Sequence, residues 1–316
     1  MIRNFVFFLV IFFNSLFLLV YKKNETLNPI QIIIEPGSQL NQISNILFDN
    51  GLIKKKLIFN LWVKINLSEK KLKFGEYLFN GKFSNNSILQ KLIIGKSFKR
   101  KLTIIEGWSK NDLLLHLNNL NPNNKLIIDN IPDLLIADTY FYELLDNPED
   151  ILDNIVSRSK KYAVEIWEKR DRTIPLKNIS EMFTLASIVE KETAIKEEKP
   201  LISGVFFNRL NKNMRLQSDP TVVYALTLGK RKMQRKLLRK DLKFKSKFNT
   251  YTNKGLPPES ICIPGLESLK SVANPLKSDF LYFVSNNING EHIFSKNYKE
   301  HLKNIKSVRK LKKNYE

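Results

Sequence analysis

Residues 186–193, ASIVEKET, set Glu190 inside a segment that otherwise reads as the middle of a core helix. The periodicity predicts one helix from Ile179 towards Pro200. Asn178 with Glu181 three residues on forms a capping-box-like start, and Pro200 ends the helix and opens the next one. With an advance of about 100° per residue, Ile179, Met182, Phe183, Ala186, Val189 and Thr193 gather on one side, and Glu190 falls within about 20° of Ile179. Lys191 and Glu192 point elsewhere, as solvated charges. A carboxylate buried alone loses hydration unless it keeps its proton, which makes Glu190 a candidate general acid near neutral pH. A buried ion pair, with Arg209 or Arg215 downstream as partner, fits the same placement, and periodicity alone does not separate the two.

The elements that must position this residue read as α+β throughout. IQIIIEPGSQLNQISNILFDNGL is a strand to Ile34, a turn at Pro36-Gly37, and a helix entered near Ser38 with Gly51 at its end. LTIIEGWSKNDLLLHLNNL (residues 102–120) repeats the theme, Glu106 matching Glu35 and Ser109 matching Ser38. Between them lie a strand with a turn at Gly81, a helix capped at Gly95, and another strand. The loop formers of NPNNKLIIDNIPD (121–133) suggest a boundary. The expected organisation is therefore residues 1–27 as an anchor, 28–120 as a small βα module, and 121–316 as a mixed α+β catalytic domain rich in helices.

The anchor rests on FVFFLVIFFNSLFLLVY, residues 5–21, an apolar run interrupted by Asn14 and Ser15. Its length is at the short end of the ~17–25 residues that span a bilayer, and no small-residue cleavage site follows. A single transmembrane helix in contact with lipid is the expectation. Arg3 on one side and Lys22 and Lys23 on the other leave its orientation nearly tied.

The chain of 316 residues has 52 Lys and Arg against 31 Asp and Glu, a net charge of +21. Such an excess attracts nucleic acid, a membrane surface or an acidic polymer, although the abundance of Asn, Lys, Ile and Phe also fits an AT-rich coding bias. KRKMQRKLLRKDLKFKSK (230–247) is the densest basic stretch. It lacks the interleaved aromatics of a base-stacking surface, so nucleic acid is not expected as a partner and lipid headgroups or acidic wall polymer are. One cysteine, Cys262, excludes an intrachain disulfide, and no Cys/His spacing suggests a metal.

ASIVEKET, followed by GVFFNRLNKNMRLQSDPTVVYAL (204–226) and FNTYTNKGLPPESICIPG (248–265), resembles the YceG-like endolytic murein transglycosylases. The resemblance runs from about residue 30 to about 304. IEPGS and the FGEY and FNGKFS pieces are similar to that family's LysM-like N-terminal region, and LYFVSNNINGEHIFSKNYKEH to its ending. Three positions depart from the family pattern: Ala137 where Pro is usual, Ile263 where Asn is common, and Glu291 where Gly often precedes His292.

The resemblance implies an enzyme anchored in the inner membrane with its bulk on the periplasmic side, working on peptidoglycan glycan strands beside the wall-synthesis machinery. It would cleave between N-acetylmuramic acid and N-acetylglucosamine and leave 1,6-anhydro ends, terminating or trimming nascent strands. Glu190 occupies the place of the catalytic glutamate, and no cofactor or metal is needed because the sugar's own 6-hydroxyl is the nucleophile. Gln217 and Ser218 are placed to bind sugar hydroxyls or acetamides, Tyr251 to stack on a sugar face, and Asn208, Asp219 and Asn249 to complete the cleft. Each also has a plain structural reading: Asp219 before Pro220 as a helix cap, Arg209 as packing, His292 as structural. A non-catalytic membrane-anchored wall-binding protein is the alternative, and a tethered nucleic-acid binder the third reading.

Overall fold

The computed structural model describes residues 2–120, 124–286 and 290–315, with side chains from Phe7 to Leu311. The chain divides into two units, Met1–Lys101 with Phe141–Asp146, and Leu102–Tyr140 with Asn147–Glu316. Among the described residues every sheet has two strands, so the mixed α+β class holds with helices dominant.

The first unit runs α1 (Ile2–Tyr21), β1 (Asn24–Ile34), α2 (Leu40–Asp49), α3 (Lys56–Ile65), β2 (Gly75–Phe83) and α4 (Asn85–Ile94), with β3 (Arg100–Thr103) leading out of it. β1 and β2 pair antiparallel, and their inner faces pack Ile32, Ile34, Tyr77 and Phe79 against Leu40, Leu47, Phe59 and Leu89. The register jumps between Thr26 and Ile30, where β1 carries extra residues that include Pro29, a residue a regular ladder excludes. Gly81, expected to turn the chain, instead stays in β2 opposite Thr26 with φ +73, so it serves the bulge. Ser84 caps α4, and Gly95 closes it in the left-handed conformation.

The end of α1 is packed: Leu16 and Val20 are buried, and Tyr21 meets Trp62 of α3 edge-on. The preceding apolar side chains from Phe7 to Phe13 are exposed. Over the described residues no helix is long and apolar enough to cross a membrane.

The second unit contains α5 (Lys110–Leu120), the first half of β4 (Thr139–Tyr142), α6 (Pro148–Glu168), α7 (Ile179–Glu192), α8 (Lys199–Asn211), α9 (Asp219–Thr227), α10 (Leu266–Ala273), β5 (Tyr282–Ser285), β6 (His292–Ser295) and α11 (Tyr298–Tyr315). Residues 102–120 group with this second unit, and position 121, where the sequence suggests a boundary, lies outside the described residues. Gly107 donates its N–H to Ile263 O, and Ile263 returns its N–H to Trp108 O, which ties this early loop to the far end of the sequence. The core packs α7 at its centre, with Phe183, Leu185, Ile188 and Val189 against Phe206, Leu269 and Val272.

Candidate functional site

Asn178 accepts the Glu181 N–H and starts α7 as its sequence suggests. From Met182 to Val189 every residue is buried, so α7 is enclosed on all sides and has no single apolar stripe. The helix stops at Glu192, well short of Pro200. Thr193 is extended (φ −143°, ψ 141°), and its hydroxyl accepts the Ile195 N–H and donates to Glu198. A β-branched residue bonded to backbone beyond itself competes with helix propagation, which is why the expected single helix breaks here. The break sends three consecutive charged side chains in three directions.

Glu190 goes inward. Its Oε1 accepts from Lys199 Nζ at 2.9 Å, and its Oε2 accepts the Gly265 N–H at 2.9 Å and the Ser268 hydroxyl at 2.7 Å. The Glu190 and Lys199 side chains are 5% and 2% exposed. Gly265 and Ser268 sit at the start of α10, so the carboxylate also faces the positive end of that helix. Glu190 is buried as expected, but its partner is Lys199 rather than Arg209 or Arg215, and it lines neither of the cavities described below. Arg209 is committed elsewhere, donating to the carbonyls of Leu281 and Leu216, with burial holding its pKa below the ordinary value.

Glu192 faces a cavity of about 500 Å³. Burial pushes its carboxyl from 4.5 up to about 7. The Ser218 hydroxyl, donating to Oε1 at 2.5 Å, and the Arg209 guanidinium pull the other way, while the negative charge of Asp219 adds to the rise. Tyr251 donates its hydroxyl to Asp219 Oδ1 at 2.6 Å, and burial with that contact raises the phenol's own pKa. Ser218 precedes α9 and Asp219 is its first residue, yet neither side chain caps the helix: one is spent on Glu192, the other on Tyr251. Gln217 adopts φ +51°, and its N–H donates to Thr250 O. Ser218 N–H and the Thr221 hydroxyl both meet Thr250 Oγ1, which locks the 217–221 segment onto the 249–251 loop.

Gln217, Ser218, Asp219 and Tyr251 therefore converge on Glu192, whereas Asn208 and Asn249 do not. The Asn208 amide donates to the carbonyls of Ser278 and Phe280. Asn249, fully buried, donates to Leu242 and Phe244 carbonyls and accepts the Tyr251 N–H. Both are loop clasps. Asn249→Ala should lower unfolding stability by about 2–3 kcal/mol in a denaturant titration, since two buried carbonyls and one N–H lose their partner. His292 is held at both its backbone N–H and its ring by Glu198, consistent with a structural role on the cavity rim.

Glu192, expected as a solvated charge, is instead buried on this cavity, and sequence reasoning missed two further lining residues, Tyr282 and His301, whose rings stack with centroids 5.0 Å apart. No local spacing links α11 to α7. The departures at Ala137 and Ile263 are quiet because backbone atoms act there: Ala137 N–H donates to Pro264 O, and Ile263 pairs with Trp108.

The YceG-like family matches residues 32–307. The chain is 31% identical over 314 residues to the endolytic murein transglycosylase of Bacillus subtilis (strain 168), covering 89% of this chain and 85% of that protein. It is 28% identical to the endolytic murein transglycosylase of Streptococcus pneumoniae serotype 2 (strain D39), covering 86% of this chain but 57% of that longer protein. A crystal structure of a YceG-like protein from Listeria monocytogenes aligns with a TM-score of 0.50 at 30% identity, over 87% of this chain and 99% of that one. With the match spanning both units and every residue around Glu192, the chain belongs to the YceG-like family.

Proposed function

We propose that this chain is an endolytic lytic transglycosylase of peptidoglycan and that Glu192, rather than Glu190, is its general acid and base. The observation that carries the assignment is a carboxyl raised to about 7 on the wall of a polar cavity, beside Ser218, Asp219 and Tyr251. The activity in the names of the B. subtilis and S. pneumoniae relatives supports the reaction class.

The chemistry balances with one acid. Protonated Glu192 gives its proton to the glycosidic oxygen as the bond from muramic C1 breaks, releasing the N-acetylglucosamine 4-hydroxyl. The muramic 6-hydroxyl then bonds to C1 and returns its proton to Glu192, closing the 1,6-anhydro ring with no water consumed. A second carboxylate nucleophile, which ordinary retaining glycosidases need, is not required. Asp219 supplies negative charge near the developing oxocarbenium ion and favours the protonated form of Glu192. Tyr251 fixes Asp219, and Ser218 orients Glu192.

Because the acid must carry its proton, activity should fall as pH rises through about 7. The check is the alkaline limb of the kcat/KM profile on glycan strands; a limb unchanged up to pH 9 would remove Glu192 from the acid role. The direct test is digestion of purified strands with mass spectrometry of the ends, where 1,6-anhydro products are expected. Intact strands that nevertheless bind the protein would favour the wall-binding alternative.

The rest of the reading concerns placement. The apolar run of residues 5–21 in the sequence supports a single-pass anchor, and the remainder would lie on the periplasmic side. The strand–helix–helix–strand order of β1, α2, α3 and β2 supports a LysM-like role in holding glycan. Trimming of nascent strands beside the synthesis machinery follows from such a tether. Protein that leaves the membrane pellet in an alkaline wash would refute the anchor.

A further inference from the structure

We propose that a second cavity, adjoining the Glu192 cavity at Asp219, is a subsite for the carboxylate-bearing peptide stems of the strand being cut; this deepens the transglycosylase reading and rests on it. The cavity measures about 760 Å³, and Asp219 lines both spaces. Its walls carry the indole of Trp108, the ring of Tyr224 and three cations, Lys191, Arg231 and Lys232. Lys191 lies between Glu190 and Glu192 in sequence, so the acid's own helix turn fixes its position relative to the scissile bond.

The space is built by close approach of backbone. Gly107 has φ +81, and a Cβ there would come within 3.1 Å of the Lys191 ammonium, so the lysine lies flat across a position that needs glycine. Gly229, at φ +67, would bring a Cβ to 3.0 Å from Ser109. The loops at 105–109 and 227–235 are thus pressed into a cleft rather than meeting by chance.

Charge bookkeeping identifies the occupant. Arg235 is already neutralised, its guanidinium bidentate on Asp241, whose carboxyl that contact holds down at about 2. Asp112 is turned back onto Ser109, accepting both its N–H and its hydroxyl at 2.8 Å. Lys191, Arg231 and Lys232 line the cavity together with the acids Glu106 and Asp219, so the cations stay in excess, and the Asp219 carboxylate is already engaged by the Tyr251 hydroxyl. In a stem-bearing strand each muramic lactyl carboxyl is tied up in the amide bond to its peptide, so the saccharide backbone itself is neutral. The carboxylates within reach of a bound strand belong to the peptides on its muramic residues, and ammonium and guanidinium groups are their natural partners. The apolar ring faces suit the aliphatic part of the same stems. This also gives the first half of the basic 230–247 run a role other than a solvated face.

The test uses full-length protein carrying Glu192→Gln, so that binding is read without cleavage. Calorimetry compares glycan oligomers bearing peptide stems, the same oligomers with stems removed and the freed muramic lactyl carboxyls amidated, and stem-bearing oligomers whose carboxylates are amidated. Stem-bearing oligomers should bind about tenfold or more tightly, as one or two charge-assisted contacts would give. The preference should vanish on amidation and when Lys191→Met, Arg231→Ala and Lys232→Ala are combined, with an unchanged melting temperature showing that the fold is kept. Equal affinity for bare and stem-bearing strands, or a preference that survives the triple substitution, would overturn the proposal. So would displacement of the stem-bearing strand by equimolar inorganic pyrophosphate, which would assign the cavity to phosphate. Failure of the wild-type enzyme to form anhydro ends would defeat the catalytic reading and leave this binding comparison standing.

Discussion

Glu192→Gln should lower the yield of 1,6-anhydro ends by roughly 10³-fold, within the 10²–10⁴ that a positioned general acid contributes. The amide keeps the shape and can still accept the Ser218 hydroxyl, so substrate binding should survive and the loss should appear in kcat. The same substitution should stabilise the fold above neutral pH. The folded carboxyl titrates at about 7 and the unfolded one at 4.5, so the folded state binds more protons between those values. The neutral side chain's contribution is complete below about 4.5 and disappears as pH rises through 7. At pH 8 the wild type holds an ionised group in a buried setting, at a cost of up to about 3 kcal/mol from that difference, and glutamine does not. Melting curves at pH 8 and pH 5 are the check. The variant should gain at pH 8 and match the wild type at pH 5; an equal gain at both would show that ionisation is not the cause. Loss of turnover with a gain in stability is the signature of an acid kept for chemistry rather than for structure.

Local signals were legible where the physics is local. The end of β1 at Ile34, the left-handed Gly95 after α4 and the Asn178 cap of α7 follow from side chains acting within a few residues of themselves. Helix α3 went unread although KLIFNLWVKI is amphipathic, with Phe59 and Val63 four residues apart on its buried face. The place of residues 102–109 escaped for a physical reason: the backbone bonds that join Gly107 and Trp108 to Ile263 link positions far apart in the sequence, and no short pattern encodes them.

The reading of the last turn of α7 turned on two assumptions. One was that burial falls on a stripe, whereas Met182–Val189 are buried all round, so a helical wheel could not rank Glu190 above Glu192. The other was that the helix continues, whereas the extended Thr193 makes Glu192 the final helical residue, free to turn towards Ser218 and the cavity. The converging set of Gln217, Ser218, Asp219 and Tyr251 was legible as polar residues flanking turns. Which carboxylate they serve was not, because that depends on where α9 and the 249–251 loop meet α7.

Glu190→Gln should cost about 3–5 kcal/mol of unfolding free energy, the usual penalty for leaving a buried partner charge uncompensated. Among the described residues the Lys199 ammonium has no other hydrogen-bond acceptor, and its side chain is 2% exposed, so it cannot simply turn into water. Lys199→Met should be milder, since the carboxylate retains the Gly265 N–H, the Ser268 hydroxyl and the start of α10. The double variant Glu190→Gln, Lys199→Met should recover much of the loss, and a double-mutant cycle measured by denaturant unfolding should show a coupling of about 1–3 kcal/mol. What the pair secures is register: one carboxylate pins α7 to α8 through Lys199 and to α10 through Gly265 and Ser268, and so fixes the turn from which Glu192 projects. Activity separates this from a catalytic role. Well below its melting temperature, the double variant should make anhydro ends within about tenfold of wild type, the scale expected when a supporting contact outside the reacting groups is changed. If Glu190→Gln protein, shown to be folded, lost product as completely as Glu192→Gln, the acid would sit at 190 and the assignment to the cavity carboxyl would fall.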